Sequence, residues 1–117
     1  MLEPEKLIEA PLDVSTEISK GTATLRLTGE LDLAGQETFQ NGLGKIESQP
    51  LRELFVDLRG LTFIDSSGLR MLITTLRDSR ERGLDLAFIK PEGQVREVLE
   101  ATRLMDELPL VDAPNET

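Results

Sequence analysis

The stretch FVDLRGLTFIDSSGLRML, residues 55–72, contains the strand-to-helix transition that decides the fold. Val56 and Leu58 alternate with polar residues, as expected of a strand with one buried face. Beyond residue 68 the apolar residues recur at helical spacing, at Leu69, Leu72, Ile73 and Leu76. The polar turn between these two runs is Asp65-Ser66-Ser67-Gly68, which is either a helix cap or a chemical site.

Patterns on both sides of this stretch predict a single α/β domain with the element order ββαβαβα. Two strands flank a turn at Lys20-Gly21. Helices are expected over residues 34–47, 67–82 and 93–103. A third strand is expected over residues 53–59, continued by residues 61–65, and a fourth over residues 84–89. The segment LPLV, residues 108–111, could add a short last strand. We expect an N-terminal extension over residues 1–12, the domain over 13–112, and a flexible tail over 113–117.

The order of the elements predicts a mixed sheet of four or five strands. An opening hairpin is antiparallel, whereas strand-helix-strand passages require parallel neighbours with right-handed crossovers. Because Arg26, Asp57 and Asp85 alternate with the apolar strand residues, they should lie on an open face, and the helices should pack on the other face only. The inward set should include Leu25, Leu27, Phe39, Val56, Leu58, Leu69, Leu72, Ile73, Leu86 and Phe88.

The composition excludes several classes of function. With 13 Lys and Arg against 22 Asp and Glu, the chain has a formal net charge of −9, which disfavours nucleic acid and acidic membranes as partners. It contains neither Cys nor His, so thiol nucleophiles, imidazole bases and the usual zinc and haem ligands are missing. We therefore expect no metal site and no cofactor. The first residues resemble neither a signal peptide nor a membrane span, which favours the cytoplasm.

The turn at residues 65–68 contains more polar groups than a cap needs. One capping side chain is enough to accept from the free backbone N–H groups of a helix start, and Asp or Ser serves equally well. With Asp65, Ser66 and Ser67 in a row, at least one hydroxyl is left over. A serine enzyme would need a base, and without His only Lys or a carboxylate remains. Consecutive side chains such as those of Asp65 and Ser66 usually diverge, so a small serine enzyme is a weaker alternative.

Two segments together resemble a known family. LTGELDLAGQETF, residues 27–39, followed by VDLRGLTFIDSSGLRMLI, residues 56–73, resembles the STAS domain of bacterial anti-sigma factor antagonists, and the resemblance extends from about Val14 to Val111. The resemblance implies a switch in which the unmodified protein binds an anti-sigma factor that is also a serine kinase, so that the sigma factor is released. Phosphorylation by that kinase ends the complex, and a phosphatase restores the antagonist.

The resemblance also implies which residues act. The phosphorylated residue of the family follows the Asp of the second motif, which corresponds to Ser66 here. The residues around Ser66 are expected to contact the partner. They are Asp32, Asp65, Ser67, Gly68, Arg70, Met71 and Thr74. Met71 should be exposed, because it lies off the predicted apolar stripe. Asp32 is equally suited to cap the first helix.

Two departures leave the partner open. Arg70 stands where sporulation-type members have Gly, and Thr102-Arg103-Leu104 stands where a Thr-Gly-Leu turn is common, so the third helix is expected to end differently. A transporter-associated or stressosome-like STAS subunit, docking without phosphorylation, remains the nearest alternative.

Overall fold

The computed structural model describes residues 10–113 and contains the predicted order of elements, including the short last strand. A single turn of 3-10 helix, Leu33–Gly35, precedes the first α-helix. Residues 1–9 and 114–117, most of the predicted extension and tail, lie outside the described residues. The elements are β1 Asp13–Ser19, β2 Thr22–Leu31, α1 Gln36–Glu47, β3 Glu53–Ile64, α2 Ser66–Glu81, β4 Asp85–Ile89, α3 Gly93–Ala101 and β5 Leu110–Val111.

The five strands form one mixed sheet, as the sequence predicts, and their order in the sheet is β1-β2-β3-β4-β5. β1 pairs with β2 antiparallel through the hairpin, and the remaining neighbours are parallel. Leu31 at the end of β2 pairs with Ile64 at the end of β3. The chain therefore leaves these two strands side by side, at the carboxyl edge of the sheet.

A single hydrophobic core joins one face of the sheet to all three α-helices. Alternate residues of β2, β3 and β4 point into it, as predicted, and are buried. Leu12, from the end of the predicted extension, is also buried in this core. Its strand and helix members include Leu25, Leu27, Val56, Leu58, Leu86, Phe88, Phe39, Ile46, Leu72, Leu76, Val95 and Leu99.

Helix α2 is rotated relative to the predicted apolar stripe. Leu69 and Ile73 are only half-buried, whereas Met71 is 6% exposed, so the prediction that Met71 is free on the surface is wrong. The cause is that small polar residues take part in the buried face: Thr75 and Ser79 are also buried. The Thr75 hydroxyl donates to the carbonyl of Met71 at 2.7 Å, which makes its burial inexpensive.

Asp57 also differs from its prediction, because it is buried rather than open to solvent. Its residue is 5% exposed, although it lies on the face of β3 opposite Val56 and Leu58. Arg59 covers it, donating from its backbone N–H and Nε to Oδ1 at 3.0 Å each and from Nη2 to Oδ2 at 2.7 Å. Arg26 approaches from β2, with Nε 3.9 Å from Oδ2.

The pKa of Asp57 reflects two opposing effects. Burial raises the pKa of this carboxyl, since it penalises the charged form. The hydrogen bonds from Arg59 and the positive charges of Arg59 and Arg26 outweigh burial, so the pKa lies below its ordinary value of 3.8. Asp57 is thus a paired, ionised group whose main partner, Arg59, lies on the same strand.

Two helices end in the same hydrogen-bonding pattern. At the end of α2, Gly83 has a φ of 72°, and Leu84 donates to the carbonyl of Ser79 at 2.9 Å. At the end of α3, Arg103 has a φ of 64°, and Leu104 donates to the carbonyl of Leu99 at 2.9 Å. Arg103 thus adopts the left-handed conformation that Gly83 has at the end of α2 and that Gly would take more easily, and the different ending relative to relatives stays a prediction.

Candidate functional site

Two aspartates follow directly after the paired ends of β2 and β3. Asp32 caps the 3-10 turn, where its Oδ1 accepts from the N–H of Gly35 at 3.1 Å. Asp65 caps α2, where its Oδ1 accepts from the N–H of Gly68 at 3.0 Å. Asp65 therefore has the capping role predicted for the turn at residues 65–68, whereas Asp32 caps the 3-10 turn rather than α1, whose N-cap is Gly35.

The two serines of the turn are left without a capping role. Ser66 is the first residue of α2 and is exposed, and Ser67 is half-buried. Within residues 10–113 neither hydroxyl forms a hydrogen bond, since Asp65 supplies the cap alone. The spare hydroxyl that the sequence predicts is present, and Ser66 is the more accessible of the two.

Gly68 fixes the position of this helix start. A Cβ at residue 68 would collide with the carbonyl oxygen of Leu31 and would lie 2.7 Å from Cγ1 of Ile64. Only glycine lets α2 begin this close to the end of β2. Gly68 is buried, so the structure gives it a packing role beneath the serines.

Gln94 supports the same edge from α3, a contact that sequence reasoning missed. β4 ends at Ile89, so β3 continues beyond it to Ile64. In place of a neighbouring strand, the side-chain amide of Gln94 accepts from the N–H of Ile64 at 3.1 Å and donates to its carbonyl at 3.3 Å. The backbone just before Asp65 is thereby held in place on its open side.

A groove of about 240 Å³ lies between the starts of α1 and α2. It brings together most of the predicted site residues, with Met71 as part of its lining rather than as an exposed side chain. Asp32, Asp65 and Gly68 do not line it. The groove is lined by Leu33, Gln36, Gln40, Ser66, Ser67, Arg70, Met71 and Thr74.

Three of these lining residues come from the other side of the groove and were not predicted. Leu33 is 66% exposed, more than the other exposed large apolar residues of the described chain, Ile18 and Phe63. Leu33 directly follows the cap residue Asp32 and lies in the 3-10 turn before α1 begins, and an apolar residue at this place is a signal that the sequence does offer. Gln36 and Gln40, four residues apart on α1, add amide groups that can donate and accept.

The described part of the chain offers little for other chemistry. Within residues 10–113 there is no group of three or more Cys, His, Asp or Glu side chains placed to hold a metal ion. The Ser66 hydroxyl has no hydrogen-bonded base in that range, since the Asp65 carboxylate accepts from Gly68 instead. No helix between residues 10 and 113 is both long enough and apolar enough to cross a membrane.

Comparison with known proteins gives a consistent result. The chain is 24% identical over 102 residues to the anti-sigma F factor antagonist of Paenibacillus polymyxa, covering 86% of this chain and 87% of that protein. A crystal structure of an anti-sigma factor antagonist from Mycobacterium paratuberculosis has the same fold, with a TM-score of 0.75, 21% identity, and coverage of 91% of this chain and 92% of that one.

The fold is shared with the Bacillus protein SpoIIAA in two forms. Its unphosphorylated form gives a TM-score of 0.71 at 23% identity, covering 88% of this chain and 90% of that one. Its phosphorylated form gives a TM-score of 0.66 at 22% identity, covering 88% of this chain and 93% of that one. The resemblance noted in the sequence is confirmed, and since the STAS domain model matches residues 13–116, this chain belongs to the STAS domain family.

Proposed function

We propose that this protein is an anti-sigma factor antagonist whose binding is switched off by phosphorylation of Ser66. In its unmodified form it binds an anti-sigma factor with serine kinase activity, and the sigma factor is released. The single observation that carries the proposal is the exposed Ser66 hydroxyl, unbonded within residues 10–113, at the edge of the groove between α1 and α2.

Accessibility favours Ser66 over Ser67 as the acceptor. A kinase must bring the γ-phosphate of ATP into line with the hydroxyl oxygen, which an exposed side chain at a helix start permits. Transfer of the phosphoryl group to Oγ of Ser66 releases ADP and the hydroxyl proton. Ser67 lines the same groove but is half-buried, so it is less accessible to a kinase.

Phosphorylation should alter binding rather than folding. The phosphate adds a charge of about −1.5 to −2 beside Asp65 and near Asp32, in a chain already at −9. The N–H groups and dipole at the start of α2 offset part of this charge, so the helix should remain formed. A partner that packs on the groove would have to desolvate the new charge, at a cost of several kcal/mol if it stays unpaired.

The docking surface we propose is the groove and its rim. Arg70 and Thr74 are exposed along α2, Met71 contributes an apolar lining, and Leu33 faces them from the other side. A groove in which two apolar side chains, Leu33 and Met71, lie among polar ones suits a protein partner. A phosphatase would be needed to restore the unmodified form, and because the kinase consumes ATP we propose that this cycle runs in the cytoplasm.

Phosphosite mapping tests the proposal. A partner captured from a lysate of the source organism is incubated with this protein and ATP, and the modified residue is located by mass spectrometry. We expect one added phosphate on Ser66, none on Ser66→Ala, and normal modification of Ser67→Ala.

The same experiment distinguishes the alternatives. Phosphate on Ser67 would contradict the assignment of Ser66. Stable binding with no phosphate on any residue would indicate a STAS subunit that docks without modification. A covalent adduct with a serine-reactive probe at Ser66 would favour a serine enzyme.

A further inference from the structure

The charged residues that line two depressions next to Ser66 are positive, although the chain as a whole is strongly acidic. The groove between α1 and α2 is one depression next to Ser66, and a second lies along the adjoining face of α2. Among the residues that line these two depressions in the described part of the chain, Arg70 and Arg77 are the charged ones. Arg70 lines both, as do Ser66 and Thr74.

Arg70 lies one helical turn after Ser66. Residues four apart on a helix face the same side, separated by about 6 Å along the axis. An acidic group four residues before a basic one is the favourable orientation for such a pair. Arg77 lies eleven residues after Ser66, about 16 Å along the same axis, which is beyond pairing distance.

The guanidinium of Arg70 is not engaged elsewhere. Arg26, Arg59 and Arg82 form ion pairs with acidic side chains, but Arg70 forms none with any residue between 10 and 113. Arginine binds phosphate through two parallel N–H donors, which makes it a better phosphate partner than lysine. The neighbouring negative groups, Asp65 and Asp32, already accept from backbone N–H groups of Gly68 and Gly35.

We infer that Arg70 binds the phosphate on Ser66 and thereby leaves the docking surface when the protein is modified. This inference rests on the proposed function, which it deepens. Phosphorylation then has two effects at the groove: it adds a negative group, and it withdraws a free positive group from the partner. A relative with glycine at this position would have only the first effect.

The test measures the phosphate directly and needs no kinase. Phosphoserine is incorporated at position 66 of the full chain during synthesis, and the second pKa of the phosphate is measured by phosphorus NMR titration at low salt. Arg70→Gln should raise this pKa by about 0.3, because the dianion loses a partner of the usual strength for this spacing.

Arg80→Gln is the matched control. Arg80 is exposed on the same helix and has no ion pair within residues 10–113, and it lies about 21 Å along the axis from Ser66, so its charge is screened. Its substitution should leave the pKa within about 0.1 of the parent protein. Equal pKa values in the parent and in Arg70→Gln would overturn the inference.

High salt provides a second criterion. In about 1 M salt the difference between Arg70→Gln and the parent should become much smaller, because an exposed ion pair is screened. A difference that persists unchanged would indicate a structural change in α2 and would also overturn the inference. Because the phosphoserine is built into the chain, these results do not depend on whether a kinase modifies Ser66, which phosphosite mapping decides separately.

Discussion

Asp57 and Ser66 are both polar residues within largely apolar segments, but they differ in burial and in hydrogen bonding. Asp57 is 5% exposed, and its two carboxylate oxygens accept from Arg59. Ser66 is exposed, and its hydroxyl has no hydrogen bond within residues 10–113. A polar group with all its bonds made contributes to the fold, whereas one left unbonded on a fixed backbone is available to a partner.

The backbone beneath Ser66 is as constrained as the surroundings of Asp57. Gly68 packs against Leu31, Asp65 caps the helix, and Gln94 holds Ile64. The site therefore combines constrained backbone contacts with unbonded serine side chains. Substitutions of the first kind should change stability, and substitutions of the second kind should leave stability nearly unchanged.

The largest effect on the free energy of unfolding is expected at Gly68. Gly68→Ala should lower the free energy of unfolding by about 2–3 kcal/mol, because the added methyl group overlaps the carbonyl oxygen of Leu31. Urea unfolding measures this change. Gly44→Ala is the control: a Cβ there meets no atom within 4 Å, so it should stabilise α1 by about 0.5–1 kcal/mol. If Gly68→Ala were as stable as the parent, the close approach of α2 to β2 would not constrain the site.

A smaller effect is expected when Asp57 and Ser66 are each replaced by alanine. Asp57→Ala should lower the free energy of unfolding by about 1.5–2 kcal/mol, since it removes charged hydrogen bonds at a buried position. Ser66→Ala should change it by less than about 0.5 kcal/mol, as expected of an exposed residue. Comparable losses in the two variants would remove the distinction between them.

The pH dependence of stability sharpens the same comparison. The folded pKa of Asp57 is lowered, so its contribution is fully present above the ordinary value of 3.8 and is lost as the pH falls through the folded pKa. Measured by urea unfolding from pH 6 downward, the parent should lose more stability in acid than Asp57→Asn does. Parallel curves for the two proteins would show that the pairing with Arg59 does not stabilise the fold.

A small gain in stability is expected far from both regions, at the end of α3. Arg103 is exposed and has a φ of 64°, so Arg103→Gly should raise the free energy of unfolding by about 0.5–1 kcal/mol through relief of backbone strain. Thermal unfolding can detect this gain. The reciprocal control is Gly83→Ala, where φ is 72° and a loss of similar size is expected. A loss in Arg103→Gly would mean that the arginine side chain stabilises this turn.

The elements and topology could be predicted because they follow from apolar periodicity and turn residues. The two-residue strand β5 and the caps at Asp32 and Asp65 were also readable from local pattern. Periodicity failed in α2, where it selected Leu69 and Ile73 but missed Thr75 and Ser79, because a small hydroxyl residue can be buried once its hydroxyl bonds to the preceding turn. Met71 was misplaced for the same reason.

The candidate site was predicted only on one side. The α2 residues of the groove could be predicted from a contiguous motif. Leu33 faces them from the 3-10 turn, and Gln36 and Gln40 face them from α1, so their position depends on how two helices pack. The burial of Asp57 likewise depends on Arg59 folding back over it and on Arg26 from a neighbouring strand. Contacts between distant segments cannot be predicted from the apolar periodicity of the sequence.

The most direct test of the switch compares Ser66→Asp with Ser66→Asn in binding to the anti-sigma factor partner by titration calorimetry. The two side chains have nearly the same shape and differ in charge. We predict that both variants melt close to the parent, and that Ser66→Asp binds at least tenfold more weakly than Ser66→Asn, a difference of about 1.4 kcal/mol or more. Equal affinities of the two variants would contradict the proposal that negative charge at Ser66 ends the complex.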